Sequence, residues 1–171
     1  MERLEIKADL TVSEAGAIAG IAWPFNAGPD LTGDTITKGA FNLAVDDLPM
    51  LLGHDPEQVI GTWEEVTETD RGLEVRGRLF LEESRRSRAV RSLITGGLIG
   101  GLSIGFRTKT ATGSAGKNRV ITALDLFEVS VVRNPAHPRA RVTGVKSGQA
   151  AIALAEAINR AASALRSGKT V

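Results

Sequence analysis

The sequence predicts a mainly β protein with flanking helices, an α+β fold, followed by a helical tail. Apolar residues recur at every second position in one segment after another, whereas few segments show helical spacing. The regular strand–helix rhythm of a doubly wound fold is absent. With 171 residues, 42% of them hydrophobic and 24% charged, the chain is long enough for one soluble domain with a real core.

Alternation of apolar and polar residues predicts a largely antiparallel set of strands. The predicted strands are Leu4–Val12, Ala15–Trp23, Pro49–Gly53, Val59–Thr67, Leu73–Leu81, Leu102–Lys109 and Arg119–Arg133. The turn Glu68–Gly72 joins two of them as a hairpin.

Helical spacing predicts a helix over Glu82–Thr95, ended by Gly96, and a short helical segment opening at Thr37 and reaching Val45. Pro24–Gly33 and Thr110–Asn118 are rich in turn-forming or small polar residues, so we expect both to be surface loops.

The composition changes around Val145 and predicts a domain boundary there. Lys146–Gly148 is typical of a linker, and Gln149–Leu165 is Ala-rich with apolar residues at helical spacing. We therefore expect one domain over residues 1–145 and a linker with an amphipathic helical tail over residues 146–171.

Composition also narrows the possible functions. The chain has no cysteine, which excludes disulfides and thiolate chemistry, and its two histidines disfavour a multi-histidine metal site. A net charge of +1 gives no argument for direct nucleic-acid binding. The start of the chain alternates charged and apolar residues, unlike a signal peptide, and no apolar run could span a bilayer. These features predict an intracellular, soluble protein without a membrane partner.

A serine between glycines is the first candidate for chemistry. In Gly101–Gly105, strand alternation predicts that Leu102 and Ile104 face one way and Ser103 the other. The neighbouring glycines would leave Ser103 uncovered, as an exposed nucleophile or a close strand crossing requires. The elbow of α/β hydrolases has a similar pattern, but it needs a strand–turn–helix and a later histidine, so that fold is disfavoured.

A serine nucleophile needs a base and an acid beside it. His54 is the candidate base, and its alternative is a loop histidine without a role. Glu128 is the candidate acid because it interrupts an apolar run, where a carboxylate is costly to bury unpaired; its alternative is a solvent-facing strand position. Asp55 and Asp125 compete with it, although alternation places Asp125 on the other face. Ser130 shares the predicted face of Glu128 and is expected to be a supporting hydroxyl.

Several of these motifs together resemble the prohead (capsid maturation) proteases of tailed phages. The motifs that carry the resemblance, in order, are Gly33-Asp34, Lys38–Phe41, His54-Asp55, Asp70–Leu73 with Gly77–Leu79, Gly101–Phe106, Leu126–Ser130 and Asn134–Ala136. The resemblance extends roughly from Gly20 to Val142.

The resemblance implies a serine endopeptidase related to the herpesvirus assemblin-type proteases, with a compact antiparallel β-barrel flanked by helices. It implies that His54 is the general base, Ser103 the nucleophile and Glu128 the third member, where the related viral enzymes use a second histidine. No cofactor is implied. The turn at Arg133-Asn134 is the expected source of backbone donors for the oxyanion.

The resemblance also implies a place of action, the assembling procapsid in the bacterial host cytoplasm. The expected substrates are the major capsid protein, the scaffold segment and the protease itself, with Lys146-Ser147 as the self-cleavage site. The tail would anchor the enzyme to scaffold or shell, or pack within the molecule, and a homo-oligomer is compatible with the sequence. The alternative is a catalytically inactive capsid-assembly or scaffold-binding module that uses the tail and the Arg85–Arg91 face. Phage, prophage and domesticated phage-like particles such as gene transfer agents are all compatible sources.

Overall fold

The computed structural model describes residues 2–6, 11–30, 32–43 and 48–133, and these residues form one ten-stranded sheet with one helix. The elements are β1 Glu2–Ile6, β2 Thr11–Val12, β3 Ala17–Pro24, β4 Asp34–Ile36, β5 Phe41–Asn42, β6 Leu48–Leu52, β7 Asp55–Glu68, β8 Gly72–Leu79, α1 Arg85–Thr95, β9 Gly101–Ser114 and β10 Lys117–Val132. The prediction of a mainly β fold is therefore confirmed.

The sheet runs in the order β1-β9-β10-β6-β7-β8-β3-β2, with β4 and β5 paired to the first part of β10. It curls into a half-barrel, because β3 near one end of this order also comes close to β9 near the other end. Most pairs are antiparallel, but β10 runs parallel to β4, β5 and β6. The predicted largely antiparallel arrangement is confirmed for most pairs, and the three parallel pairs with β10 are its exceptions.

The core is built from alternate residues of the strands. Leu102, Ile104 and Phe106 of β9 all lie in the core, as the alternation predicts. The indoles of Trp23 and Trp63 are among the largest fully buried side chains, and the Trp63 indole N–H donates to the backbone carbonyl of Val129 at 2.9 Å. This bond satisfies the polar atom of a buried tryptophan and ties β7 to β10.

Two predicted elements are wrong. The expected loop Thr110–Asn118 is the tip of a long hairpin, in which Ser114 pairs with Lys117. Threonines at alternate positions favour a strand there, and this pattern outweighs the loop-like composition. The expected helical segment from Thr37 contains instead a turn and β5, since Gly39 has a φ of +88°, which no α-helix accommodates.

Helix α1 is the only helix among the described residues, so the expected plural flanking helices reduce to one. It begins three residues later than predicted because the Ser84 side chain caps it, accepting the Ser87 backbone N–H at 3.2 Å. Gly96 ends it as predicted. The predicted tail, the boundary near Val145 and the second half of the Arg133-Asn134 turn lie outside the described residues.

Candidate active site

His54 lies in the two-residue turn that joins β6 to β7. Leu52 pairs with Asp55 across this turn, and the two residues between them, Gly53 and His54, have φ values of +64° and +65°. Consecutive positive φ angles are typical of a type I′ hairpin turn, whose twist matches that of the flanking strands. Glycine adopts this conformation freely, and histidine is among the residues enriched in it. The imidazole is therefore presented by the shortest common hairpin loop.

Both backbone N–H groups of the turn are bonded to β10. Gly53 N–H donates to the carbonyl of Val131 at 3.0 Å, which extends the parallel β6–β10 ladder by one bond. His54 N–H donates to Ser130 Oγ at 3.1 Å. The His54 N–H is buried and therefore needs a partner, and together the two bonds fix the position of the His54 backbone against β10.

A bulge in β10 sets the direction of Glu128. Leu126 pairs with Phe106, whereas Glu128 pairs with Gly105, the very next residue along β9, so Phe127 is an extra residue in β10. Bulges of this kind re-aim the side chains that follow them. Glu128 consequently faces away from the core side of the sheet occupied by Leu126.

The exposure of neighbouring residues agrees with this bulge. Leu126 and Val129 both lie in the core although regular alternation would put them on opposite faces. Phe127 is 42% exposed and lies under the Arg107 guanidinium, 5.5 Å from ring centroid to Cζ. Even-numbered residues of β10 therefore face the core immediately before Phe127, and odd-numbered residues face it afterwards. This change places Glu128 and Ser130 on the same face of the sheet as Gly105.

Glu128 and His54 form a buried pair. Glu128 Oε1 lies 2.6 Å from His54 Nδ1, and Ser130 Oγ donates to Glu128 Oε2 at 2.5 Å. The two residues are 3% and 5% exposed, so the carboxylate is removed from water but has a partner on each oxygen. With Nδ1 turned to the carboxylate, Nε2 is the ring nitrogen that can accept a proton from a nucleophile.

Gly105 provides the space for this carboxylate. A Cβ added at position 105 would lie 2.8 Å from both Cγ and Cδ of Glu128, closer than real Cβ contacts allow. Position 105, two residues after Ser103, therefore favours glycine because the Glu128 carboxyl group on β10 occupies the space of a side chain.

Ser103 lies directly opposite Ser130 in the β9–β10 ladder. It is fully buried, so the expectation that the neighbouring glycines leave it uncovered is wrong. It alternates with Gly105, so it shares the face onto which the bulge turns Glu128 and Ser130. Directly opposed side chains have Cβ atoms about 5 Å apart. The structure therefore brings all three predicted residues, His54, Ser103 and Glu128, to neighbouring positions on one side of the sheet.

The two competing acids are engaged elsewhere. Asp125 pairs with Arg107, which alternates with Gly105, so Asp125 lies on the same face as Glu128 and the predicted opposite face is wrong. Regular alternation failed here because it does not include the bulge. The carboxylate of Asp125 binds Lys109 at 2.7 Å and Arg107 at 2.9 Å, and these hydrogen bonds lower its pKa to about 2.

Asp55, the sequence neighbour of His54, bonds within its own strand. Its carboxylate accepts from the Gln58 side chain at 2.6 Å and from the Glu57 backbone N–H at 3.0 Å, and these bonds lower its pKa. Glu128 is the acid that contacts the imidazole.

In the part of the chain that the structure describes, no group of three or more acidic or histidine side chains could hold a metal ion. No helix among the same residues is long and apolar enough to cross a membrane. Sequence reasoning identified Ser130 as a supporting hydroxyl but missed its bond to the His54 backbone, for which the sequence carries no signal.

Comparison with known proteins agrees with the family that the sequence resembles. The family described as caudovirus prohead serine protease matches residues 2–153. The chain is 33% identical over 143 residues to the prohead protease of Enterobacteria phage HK97, covering 77% of this chain and 61% of that protein. It is 36% identical over 155 residues to the capsid polyprotein of Pseudomonas phage PAJU2, covering 84% of this chain and 22% of that protein. The chain thus spans about three fifths of the length of the HK97 protein and about one fifth of the length of the PAJU2 protein.

The fold agrees as well. The structure of the bacteriophage T4 capsid assembly protease superposes with a TM-score of 0.53 at 16% identity, covering 79% of this chain and all of the T4 chain. That similarity shows a shared fold, and the family match covers most of the sequence. On this evidence the chain belongs to the caudovirus prohead serine protease family.

Proposed function

We propose that this protein is a serine endopeptidase that processes the major capsid protein or its scaffold segment during head maturation. The observation that carries the proposal is the buried His54–Glu128 pair, held next to the strand position of Ser103. Membership of the prohead protease family supports the same reaction class.

The proposed roles follow from the geometry. Ser103 Oγ attacks the peptide carbonyl while its proton passes to His54 Nε2, and Glu128 stabilises the resulting imidazolium through Nδ1. The tetrahedral oxyanion collapses, the C–N bond breaks, and the imidazolium returns the proton to the leaving amine. Water then hydrolyses the acyl-enzyme by the same proton path. Backbone N–H groups of the Arg133-Asn134 turn are the proposed oxyanion donors, worth about 3 kcal/mol each by analogy with other serine hydrolases.

The proposal extends to biology that the names of the relatives suggest. These relatives are a prohead protease, a capsid polyprotein and a capsid assembly protease. Capsid-shell proteins inside the procapsid, in the host cytoplasm, are accordingly the proposed substrates. The same proposal includes self-cleavage near Lys146 and a helical tail over residues 146–171 that docks on scaffold or shell. It also includes the closed barrel of herpesvirus assemblin-type proteases.

Co-expression with the capsid and scaffold proteins of the same particle tests the proposal. We expect the wild type to shorten at least one of them, with cleavage sites read by mass spectrometry, and Ser103→Ala to abolish the shortening. Ser114→Ala, at an exposed serine near the end of the same strand, is the matched control and should cleave normally. Unchanged processing by Ser103→Ala would overturn the proposal. Capsid assembly that needs the protein but involves no cleavage would favour the inactive scaffold-binding module instead.

A further inference from the structure

We infer that Ser130 is a positioning residue of this site, whose hydroxyl fixes the Glu128 carboxylate and the His54 backbone relative to each other. The inference rests on the proposed function, since it assigns a role within the same His54–Glu128 pair. Ser130 is fully buried, and its Oγ contacts both partners: it donates to Glu128 Oε2 at 2.5 Å and accepts the His54 backbone N–H at 3.1 Å.

The direction of the two bonds is fixed by chemistry. An ionised carboxylate only accepts hydrogen bonds, so the single hydroxyl proton of Ser130 goes to Glu128. The lone pairs of Oγ are then available to the His54 N–H, which can only donate. One hydroxyl therefore satisfies a carboxylate oxygen on its own strand and a backbone donor in the β6–β7 turn.

Without the Ser130 hydroxyl, both Glu128 and His54 would be held less firmly. The terminal torsion of a glutamate side chain is broad, so its carboxylate can rotate unless both oxygens are held. With Oε2 bonded to Ser130, Oε1 is directed at His54 Nδ1. The positive φ of His54 is likewise a sparsely populated conformation for a residue with a side chain, and its N–H bond to Ser130 stabilises it.

The chain contains a matched serine that lies outside the site. Ser87 of α1 is also fully buried, and its Oγ donates to the backbone carbonyl of Ile60 at 2.8 Å. Ser87→Ala removes a buried serine hydroxyl without contact to His54 or Glu128. Any effect of a lost core hydroxyl on folding appears in both variants, whereas a positioning effect appears only at Ser130.

Steady-state cleavage of a peptide that spans a mapped capsid cleavage site provides the first test. We expect Ser130→Ala to lower kcat by about 10- to 100-fold with little change in KM, the usual scale for residues that orient a functional side chain. Ser130→Cys substitutes a slightly larger thiol that donates only weakly, and should resemble Ser130→Ala. Ser130→Thr keeps the hydroxyl and should restore most of the rate. Ser87→Ala should keep the wild-type kcat.

Proton NMR provides a second test that needs no turnover. In the Ser103→Ala background, the proton shared by His54 Nδ1 and Glu128 should give a resonance far downfield of the amides. We expect Ser130→Ala and Ser130→Cys to shift or broaden it, and Ser130→Thr and Ser87→Ala to leave it unchanged. An unchanged resonance in both Ser130→Ala and Ser130→Cys, with kcat equal to that of Ser87→Ala, would overturn the inference. Absence of cleavage by the wild type would count against the proposed function alone, because the resonance still reports on Ser130.

Discussion

Glu128 and Gly105 face each other across the β9–β10 ladder, and the carboxyl group of Glu128 occupies the volume that a side chain at position 105 would need. The glycine on one strand and the acid on the other therefore form a single packing unit. A serine protease motif read along β9 alone would miss this dependence, because the reason for Gly105 lies on a different strand.

This relationship predicts the outcome of a double-mutant cycle. Gly105→Ala should lower the free energy of unfolding by about 1–3 kcal/mol, because its Cβ would overlap Glu128 in a buried site. In a Glu128→Ala background the same substitution should cost much less, since the overlapping group has been removed. Urea unfolding of the four proteins measures the coupling. An equal cost in both backgrounds would show that Gly105 is needed for another reason.

Glu128→Gln should abolish most of the activity while keeping the shape of the side chain. The amide NH₂ would face His54 Nδ1 and favour the wrong imidazole tautomer, which in a serine triad lowers kcat by about 10⁴-fold. We expect a decrease of that order in cleavage of a capsid-derived peptide, with the fold intact by circular dichroism.

The two other acids near the site are the controls for this prediction. Asp55→Asn and Asp125→Asn alter carboxylates that bond to Gln58 and to Lys109, respectively, and both variants should keep kcat within a few-fold of wild type. A loss in either one comparable to that of Glu128→Gln would reassign the third member of the site.

The ion pair between Asp34 and Arg119 predicts a clear stability effect away from the site. The guanidinium binds both carboxylate oxygens, and the two side chains are only 4% and 17% exposed. Asp34→Asn should lower the free energy of unfolding by about 3 kcal/mol, because it removes the negative charge that a mostly buried arginine binds with two hydrogen bonds. Asp70→Asn, which breaks the exposed pair with Lys38, should produce no measurable change in the same denaturant titration.

The pH dependence of the unfolding free energy should show the stabilising contribution of the Asp125 carboxylate. Hydrogen bonds from Lys109 and Arg107 lower its pKa from 3.8 to about 2, so the folded state favours the ionised form. The stability that this carboxylate contributes is present above pH 3.8 and is lost as the pH falls towards 2. The difference in unfolding free energy between wild type and Asp125→Asn should shrink over that interval. A difference that stays constant would show that the two cations do not stabilise the carboxylate.

The sequence predicted the parts of this protein that depend on regular periodicity. The core face of β9 follows from alternation, and the C-terminal end of α1 at Gly96 follows from capping. Glu128 stood out because it breaks such a run, and the structure places it against His54.

The features that sequence reasoning missed depend on pairing between distant segments. The bulge at Phe127 inverts which residues face the core, whereas strict alternation along β10 leaves the bulge out and places Asp125 on the wrong face. Local spacing predicts a helix around Gly39 because it does not include the parallel partner of β4 and β5, which is β10, about 80 residues later. The sequence predicts too short a β9–β10 hairpin because a loop-like composition conceals a threonine-rich strand.

The turn that carries His54 has a mechanical consequence. A catalytic histidine on a long loop can change position by bending that loop, at the small cost of a few backbone rotations. Here the connection has two residues, and both of its N–H groups are bonded to β10. The backbone that carries the imidazole can therefore move only if its bonds to β10 break, so the attachment of the proposed base is as rigid as the parallel ladder.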